Sequence, residues 1–233
     1  VTPAVVAQCK AALQQQPTQK RVCFIGDSQT RHLYNQVLHL IEGPSAGYRQ
    51  QISGLERAFQ VLQADNFFYE ADNYGNWTAR RHDTGSCSHV FINFGHWPLS
   101  FQEAEPWDVR RYAQQVAELA ASMKQQQQKH GNRQFWMTLQ PSPVVDYQQR
   151  RTRIKKGVDW RTDPFTMLFN KVASTVMQAH GIPTVDIYSI ASPLFDMTYD
   201  ASHYIGTVGL AQAEMLVNIV CSDLLQGPAR KLA

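Results

Sequence analysis

Short unbroken apolar runs alternate along this chain with stretches whose apolar residues recur every three or four positions, and that alternation predicts its elements. Val22-Cys23-Phe24-Ile25, closed by Gly26, reads as a strand buried on both faces. Leu33, Val37, Leu40 and Ile41 then fall at helical spacing until Gly43-Pro44 breaks the element. The first unit is therefore strand, tight turn, helix.

Phe67-Phe68-Tyr69 and His89-Val90-Phe91-Ile92 read as further strands, with Gly85-Ser86 as a turn before the second. Pro106 suits a helix start, and Val109, Tyr112, Ala113, Val116, Leu119, Ala120 and Met123 form one apolar stripe. The polar run from Gln125 to Gln128 is the solvated end of that helix, stopped at His130-Gly131-Asn132. Phe135 to Leu139 is the next strand. A polar connection over 141–163, long for a compact domain, is expected to be a lid, a binding loop or a disordered segment. Asp163-Pro164 opens a helix carrying Phe165, Leu168, Phe169, Val172 and Val176; Thr184 to Tyr188 is the last strand, and Thr207 caps a final helix.

Strands that alternate with helices imply a parallel sheet covered on both faces, because each right-handed crossover lays its helix on the sheet. The expected fold is an α/β class, three-layer α/β/α sandwich, one domain spanning 1–233. Ligands of such sheets bind beyond the carboxyl ends of the strands, so the residues just after Ile25, Ile92, Leu139 and Tyr188 become candidates.

Composition narrows the field of partners. Among 233 residues, 43% are hydrophobic and 18% charged, a globular balance, and the net charge of +3 is too slight to hold a nucleic-acid backbone. The strongest basic excess, Arg150, Arg151, Arg153, Lys155 and Lys156, reads as a solvated loop before it reads as an acidic-ligand site. No apolar run reaches the roughly 18 residues of a membrane span. Beginning at Val1 and not at Met is the expected mark of a processed or excised chain, from which a targeting segment or anchor can have been removed.

Cys9, Cys23, Cys87 and Cys221 are widely spaced, with no C-x-x-C pair, so no metal site is expected. In an oxidising compartment they allow three pairings; Cys23 also reads as a small buried hydrophobe. Asn76-Trp77-Thr78 is an N-glycosylation pattern. With the cysteines it points to the secretory lumen or the cell exterior.

Three polar clusters fall at the expected rim: Gly26-Asp27-Ser28, Asn93-Phe94-Gly95-His96-Trp97 and Asp200-Ala201-Ser202-His203. A serine at a strand-to-helix turn gains exposure and the positive end of a helix, which places Ser28 as nucleophile. A neutral imidazole can accept its proton, and Asp200, three residues before His203, can orient that ring. For the oxyanion the available donors are the Ser28 N–H, Arg31 one helical turn onward, and Asn93 at the end of a strand. Asp27 reads as a turn-holding residue. Gly95, His96 and Trp97 are candidates for substrate contact, the tryptophan as a stacking face for a sugar or as core.

Gly-Asp-Ser after a strand, with Asp200-x-x-His203 near the end of the sequence, resembles the SGNH/GDSL hydrolase superfamily over almost the whole chain. More narrowly, Gly-Asp-Ser-x-x-Arg at 26–31, Asn-x-Gly-His-Trp at 93–97 and Asp-x-x-His-Tyr at 200–204 resemble its PC-esterase branch. That branch includes trichome-birefringence-like polysaccharide O-acetyltransferases and the luminal domain of sialic-acid O-acetyltransferases. The resemblance implies a flavodoxin-like sandwich, an acyl-serine intermediate, an acetylated glycan or similar acyl ester as substrate, no cofactor, and an oxyanion role for Arg31. One departure is that Gly95 is followed by His96 and Trp97 where the superfamily carries Gly-x-Asn, the asparagine here preceding the glycine. Gly54 and Gly75 both compete for the second-block oxyanion glycine. Two other functions fit the same fold: a glycan-binding module without turnover, and a lipid or thioester hydrolase.

Overall fold

The computed structural model describes residues 2–15, 20–43, 64–76, 84–100, 103, 105–142, 159–198 and 202–226. Five parallel strands form one sheet in the order β2-β1-β3-β4-β5: β1 (Arg21–Gly26), β2 (Phe67–Ala71), β3 (Cys87–Ile92), β4 (Arg133–Met137) and β5 (Thr184–Val185). Six α-helices among the described residues accompany it: α1 (Pro3–Gln14), α2 (Ser28–Glu42), α3 (Val109–His130), α4 (Asp163–Ala179), α5 (Tyr188–Ala191) and α6 (Thr207–Gln226). The three-layer α/β/α sandwich expected from the sequence is the fold observed.

The period-two alternation of β1 divides its side chains between two cores. Val22 and Phe24 join Leu33, Tyr34, Val37 and Leu38 of α2 and Leu216, Val217 and Val220 of α6. Cys23 and Ile25 face the other way, toward Tyr112, Val116, Leu119 and Met123 of α3 and Phe169, Ala173 and Met177 of α4. Phe24, Phe91 and Phe135 stack across three neighbouring strands, with ring centroids 5.3 and 5.0 Å apart. Such ladders fix the register of adjacent strands, and register decides where each strand ends.

The structure moves several expected boundaries. The third helix starts at Val109, not at Pro106, because the Asp108 carboxylate accepts the Arg111 N–H at 2.8 Å and so caps it. Gly131, at φ 65°, ends that helix as expected. Asp163 lies inside the first turn of α4, one residue past the cap position at Thr162. The last strand closes at Val185, short of Tyr188. Asp186 accepts the Ser189 N–H at 3.1 Å and the Tyr188 N–H donates to Thr138 Oγ1 at 2.9 Å, which turns residues 188–191 into α5. The expected lid over 141–163 lies mainly outside the described residues, as do Arg150 to Lys156.

Of the three possible cysteine pairings, the structure selects Cys9–Cys221 and Cys23–Cys87. The first joins α1 to α6; the second joins neighbouring strands β1 and β3, so Cys23 is buried as a half-cystine and not as a free thiol. Helix α6 is long and apolar enough to cross a membrane, with mean hydropathy 1.4, although the sequence holds no unbroken apolar run of that length. It packs on α1 and α2 as a wall of the first core.

Candidate active site

β1 ends at Gly26, and α2 begins two residues later at Ser28. The turn is tight enough to demand glycine: a Cβ on Gly26 would stand 2.6 Å from the Asn93 carbonyl oxygen and 2.3 Å from Thr30 Oγ1. Asp27 is the N-cap, its Oδ1 accepting the Gln29 N–H at 2.9 Å. Ser28 is therefore the first residue of a fifteen-residue helix, where unsatisfied N–H groups carry positive charge. From a segment 175 residues further along, His203 Nε2 comes to 2.7 Å from Ser28 Oγ.

That distance lies within proton-transfer range, so the hydroxyl and the imidazole can act as nucleophile and base. His203 packs its ring at 4.5 Å from that of His32 on α2. Asp200, the expected orienting carboxylate, lies outside the described residues.

Beside the serine stands a third histidine. His96 Nε2 is 2.8 Å from the Gln140 carbonyl oxygen, which can only accept, so Nε2 carries a hydrogen. Its Nδ1 faces Asp27 Oδ2 at 3.4 Å, and both side chains are almost wholly buried, 3% and 1% exposed. Burial alone would raise the Asp27 pKa. The hydrogen bond and charge of His96, the Gln29 N–H and the charge of His203 outweigh it and hold the carboxyl below its usual 3.8. Asp27 thus does more than hold a turn.

The cavity in front of Ser28 has a volume of about 90 Å³. Its described walls come from Asp27, Ser28 and Gln29, from His96, Trp97 and Ser100, and from Arg161, Ser202 and His203. His96 and Trp97, two of the candidates for substrate contact, are in this wall. Gly95 is not in the wall; it lies behind, at φ 147°, where a Cβ would meet Leu139 Cδ1 at 2.6 Å.

Asn93 also stands outside the lining. Its amide accepts from Thr30 Oγ1 at 3.1 Å and donates to the Thr138 carbonyl at 3.4 Å, tying α2, β3 and β4 together. Arg31 is likewise not among the described walls of the cavity. Burial, then the Asp27 charge, raise the pKa of the Tyr69 hydroxyl, and the Arg31 charge acts on it in the opposite sense. Gly75, at φ 67°, sits on the Phe94 ring, so a Cβ there would come within 2.4 Å of it. Gly54, Trp77 and Thr78 are outside the described residues, and Asn76 is exposed at the edge of them.

Sequence spacing gave no sign of Arg161, Ser100 or Gln29 as cavity residues. Arg161 reaches the site because Asp159 grips its guanidinium and the Trp160 N–H donates to the Leu99 carbonyl at 2.9 Å. Two wider clefts, of about 600 and 660 Å³, share Arg133 in their walls and include none of the residues around Ser28.

No family model matches this sequence, and no curated protein does. Solved structures do. A lipase/acylhydrolase from Enterococcus faecalis aligns with TM-score 0.57 at 15% identity, over 87% of this chain and 96% of its own. A GDSL-like lipase from Bacteroides thetaiotaomicron aligns with TM-score 0.57 at 16% identity, over 93% and 95%. The acetyl xylan esterase AlAXEase aligns with TM-score 0.54 at 10% identity, over 86% and 99%. The five-stranded sandwich is thus the fold of GDSL-like lipases and related esterases.

Proposed function

We propose that this protein is a serine-dependent acyl-ester enzyme that removes or transfers O-acetyl groups on a glycan. The observation that carries the reading is the 2.7 Å contact between Ser28 Oγ and His203 Nε2 at the carboxyl end of the sheet. Ser28 Oγ attacks the ester carbonyl as its proton passes to His203 Nε2; the C–O bond to the sugar then breaks and His203 returns the proton to the leaving oxygen. Water or another sugar hydroxyl attacks the acetyl-serine in the second half. Asp200 is the partner proposed for the other ring nitrogen of His203. The Ser28 N–H, aided by Arg31, is proposed to hold the oxyanion.

Acetyl as the acyl group is supported by the size of the cavity. About 90 Å³ is well below the ~300–1,000 Å³ of pockets that enclose larger ligands, which leaves little room for a long aliphatic chain. Trp97 in the wall supports a sugar beyond it. The two disulfides and the exposed Asn76 support a secretory or extracellular setting, with Asn76 glycosylated. The reaction as written uses no metal and no organic cofactor.

The test is mass measurement of the intact protein after incubation with aryl acetates and acetylated oligosaccharides. An added acetyl group on Ser28, lost in Ser28→Ala together with acetate release, is the expected result. Saturable oligosaccharide binding with no acetate released would instead identify a binding module, and faster turnover of long acyl chains a lipid or thioester hydrolase.

A further inference from the structure

The residue before the base is gripped from two directions. Gln29 Nε2, in the first turn of α2, donates to the Ser202 carbonyl at 2.9 Å. Arg161 Nη1 donates to Ser202 Oγ at 3.1 Å. Arg161 is itself fixed: its Nε donates to the two Asp159 carboxylate oxygens at 2.9 and 3.1 Å, and Nη2 donates to Oδ2 as well. Asp159 and Ser202 are 8% and 4% exposed.

A guanidinium paired with a buried carboxylate gives up much of its pull on anions, but its planar fork keeps direction. Here one arm of that fork ends on a neutral hydroxyl beside the proton acceptor. We propose that Arg161 is a positioning residue for His203, acting through Ser202 Oγ to keep His203 Nε2 within proton-transfer distance of Ser28 Oγ. The inference rests on the Ser28–His203 reading above.

The leverage is geometric. Proton transfer needs heavy atoms roughly 2.6–3.2 Å apart. Displacement of a reacting group by about 1 Å can slow a reaction on the order of 100-fold. Gln29 ties the Ser202 backbone to the helix that carries the nucleophile, and Arg161 ties its side chain to the segment anchored on Leu99. The base is thereby referred to both walls of the cavity.

A double-mutant cycle tests this with Ser202→Ala and Arg161→Lys, the second keeping a cation beside Asp159 while removing the arm that reaches Ser202. Each is expected to lower kcat on an aryl acetate roughly 10- to 100-fold, with little change in KM and no loss of Tm to match. The double variant should be no slower than the slower single, because both remove one hydrogen bond. Wild-type kcat in Ser202→Ala, or losses that multiply in the double, would overturn the proposal. The imidazole NMR signals of His203 give a readout that needs no turnover: both singles should move them alike. Unmoved signals reject the positioning role even if the wild type proves to have no esterase activity, whereas an inactive wild type whose His203 signals do move counts only against the enzyme reading.

Discussion

His96 Nδ1 lies 3.4 Å from Asp27 Oδ2, and the two side chains form a buried pair beside the nucleophile, in the wall of its cavity. Because Asp27 Oδ1 caps α2 at Gln29 and His96 Nε2 is anchored on Gln140, the pair links the start of the helix to the segment that follows β4.

Breaking such a pair leaves a charge stranded without water. His96→Leu is expected to destabilise the protein by about 3–5 kcal/mol, and His96→Leu with Asp27→Asn by less than the sum of the singles. Urea melts of the three variants measure it.

Asp27 also sets a pH dependence. Its pKa in the folded state is below the ordinary 3.8, so the unfolded chain binds the proton first as pH falls. The stability it contributes is complete above pH 3.8 and is lost as the pH drops toward the lower folded value. Asp223, held low against burial by His89 and Arg133, adds in the same direction. Melts between pH 6 and 2 should show the decline, and Asp27→Asn should flatten part of it.

Gly26→Ala places a methyl group 2.6 Å from the Asn93 carbonyl. A stability loss of about 1–3 kcal/mol is expected, together with slower labelling of Ser28 by a serine-reactive phosphonate, since the displaced turn carries the nucleophile. Thermal melts and labelling rates check both.

Arg31 and Asn93 should part company under substitution. Arg31→Ala is expected to lower kcat by roughly 100-fold if its charge meets the oxyanion, with Tm little changed. Asn93→Ala, which deletes the contacts to Thr30 and Thr138, is expected to cost about 1–3 kcal/mol of stability. Parallel kcat and Tm measurements separate the two.

Removing Cys23–Cys87, whose partners are 64 residues apart, is expected to cost about 4 kcal/mol by the loop-entropy account. Calorimetry of a Cys23→Ala, Cys87→Ala variant measures it.

Much of the architecture could be read from the sequence because it rests on local repetition. The apolar run at 22–25 and the stripe at Tyr112, Val116, Leu119 and Met123 carry their own periods, and Ser28 and His203 announce themselves in short motifs. The Asp159–Arg161–Ser202 contacts join side chains 41 residues apart and leave no spacing to detect. The same holds for His96 and Asp27, where a resemblance drew attention to His96 without naming its partner. The early end of β5 follows from Asp186 and Thr138 capturing backbone groups that propensity assigns to a strand. Helices α1 and α5 stand outside the alternation that reveals the other elements, and the choice among cysteine pairings depends on which strands and helices become neighbours.

Cys9 and Cys221 sit in the first and last helices, 212 residues apart, and their bond closes nearly the entire described polypeptide into a covalent ring. A protease that nicks the backbone between them creates new ends without releasing a fragment. Nicked molecules should then keep essentially the full mass under non-reducing conditions and separate into pieces only when thiol is added; survival of the full mass without reductant is no evidence that the backbone is whole.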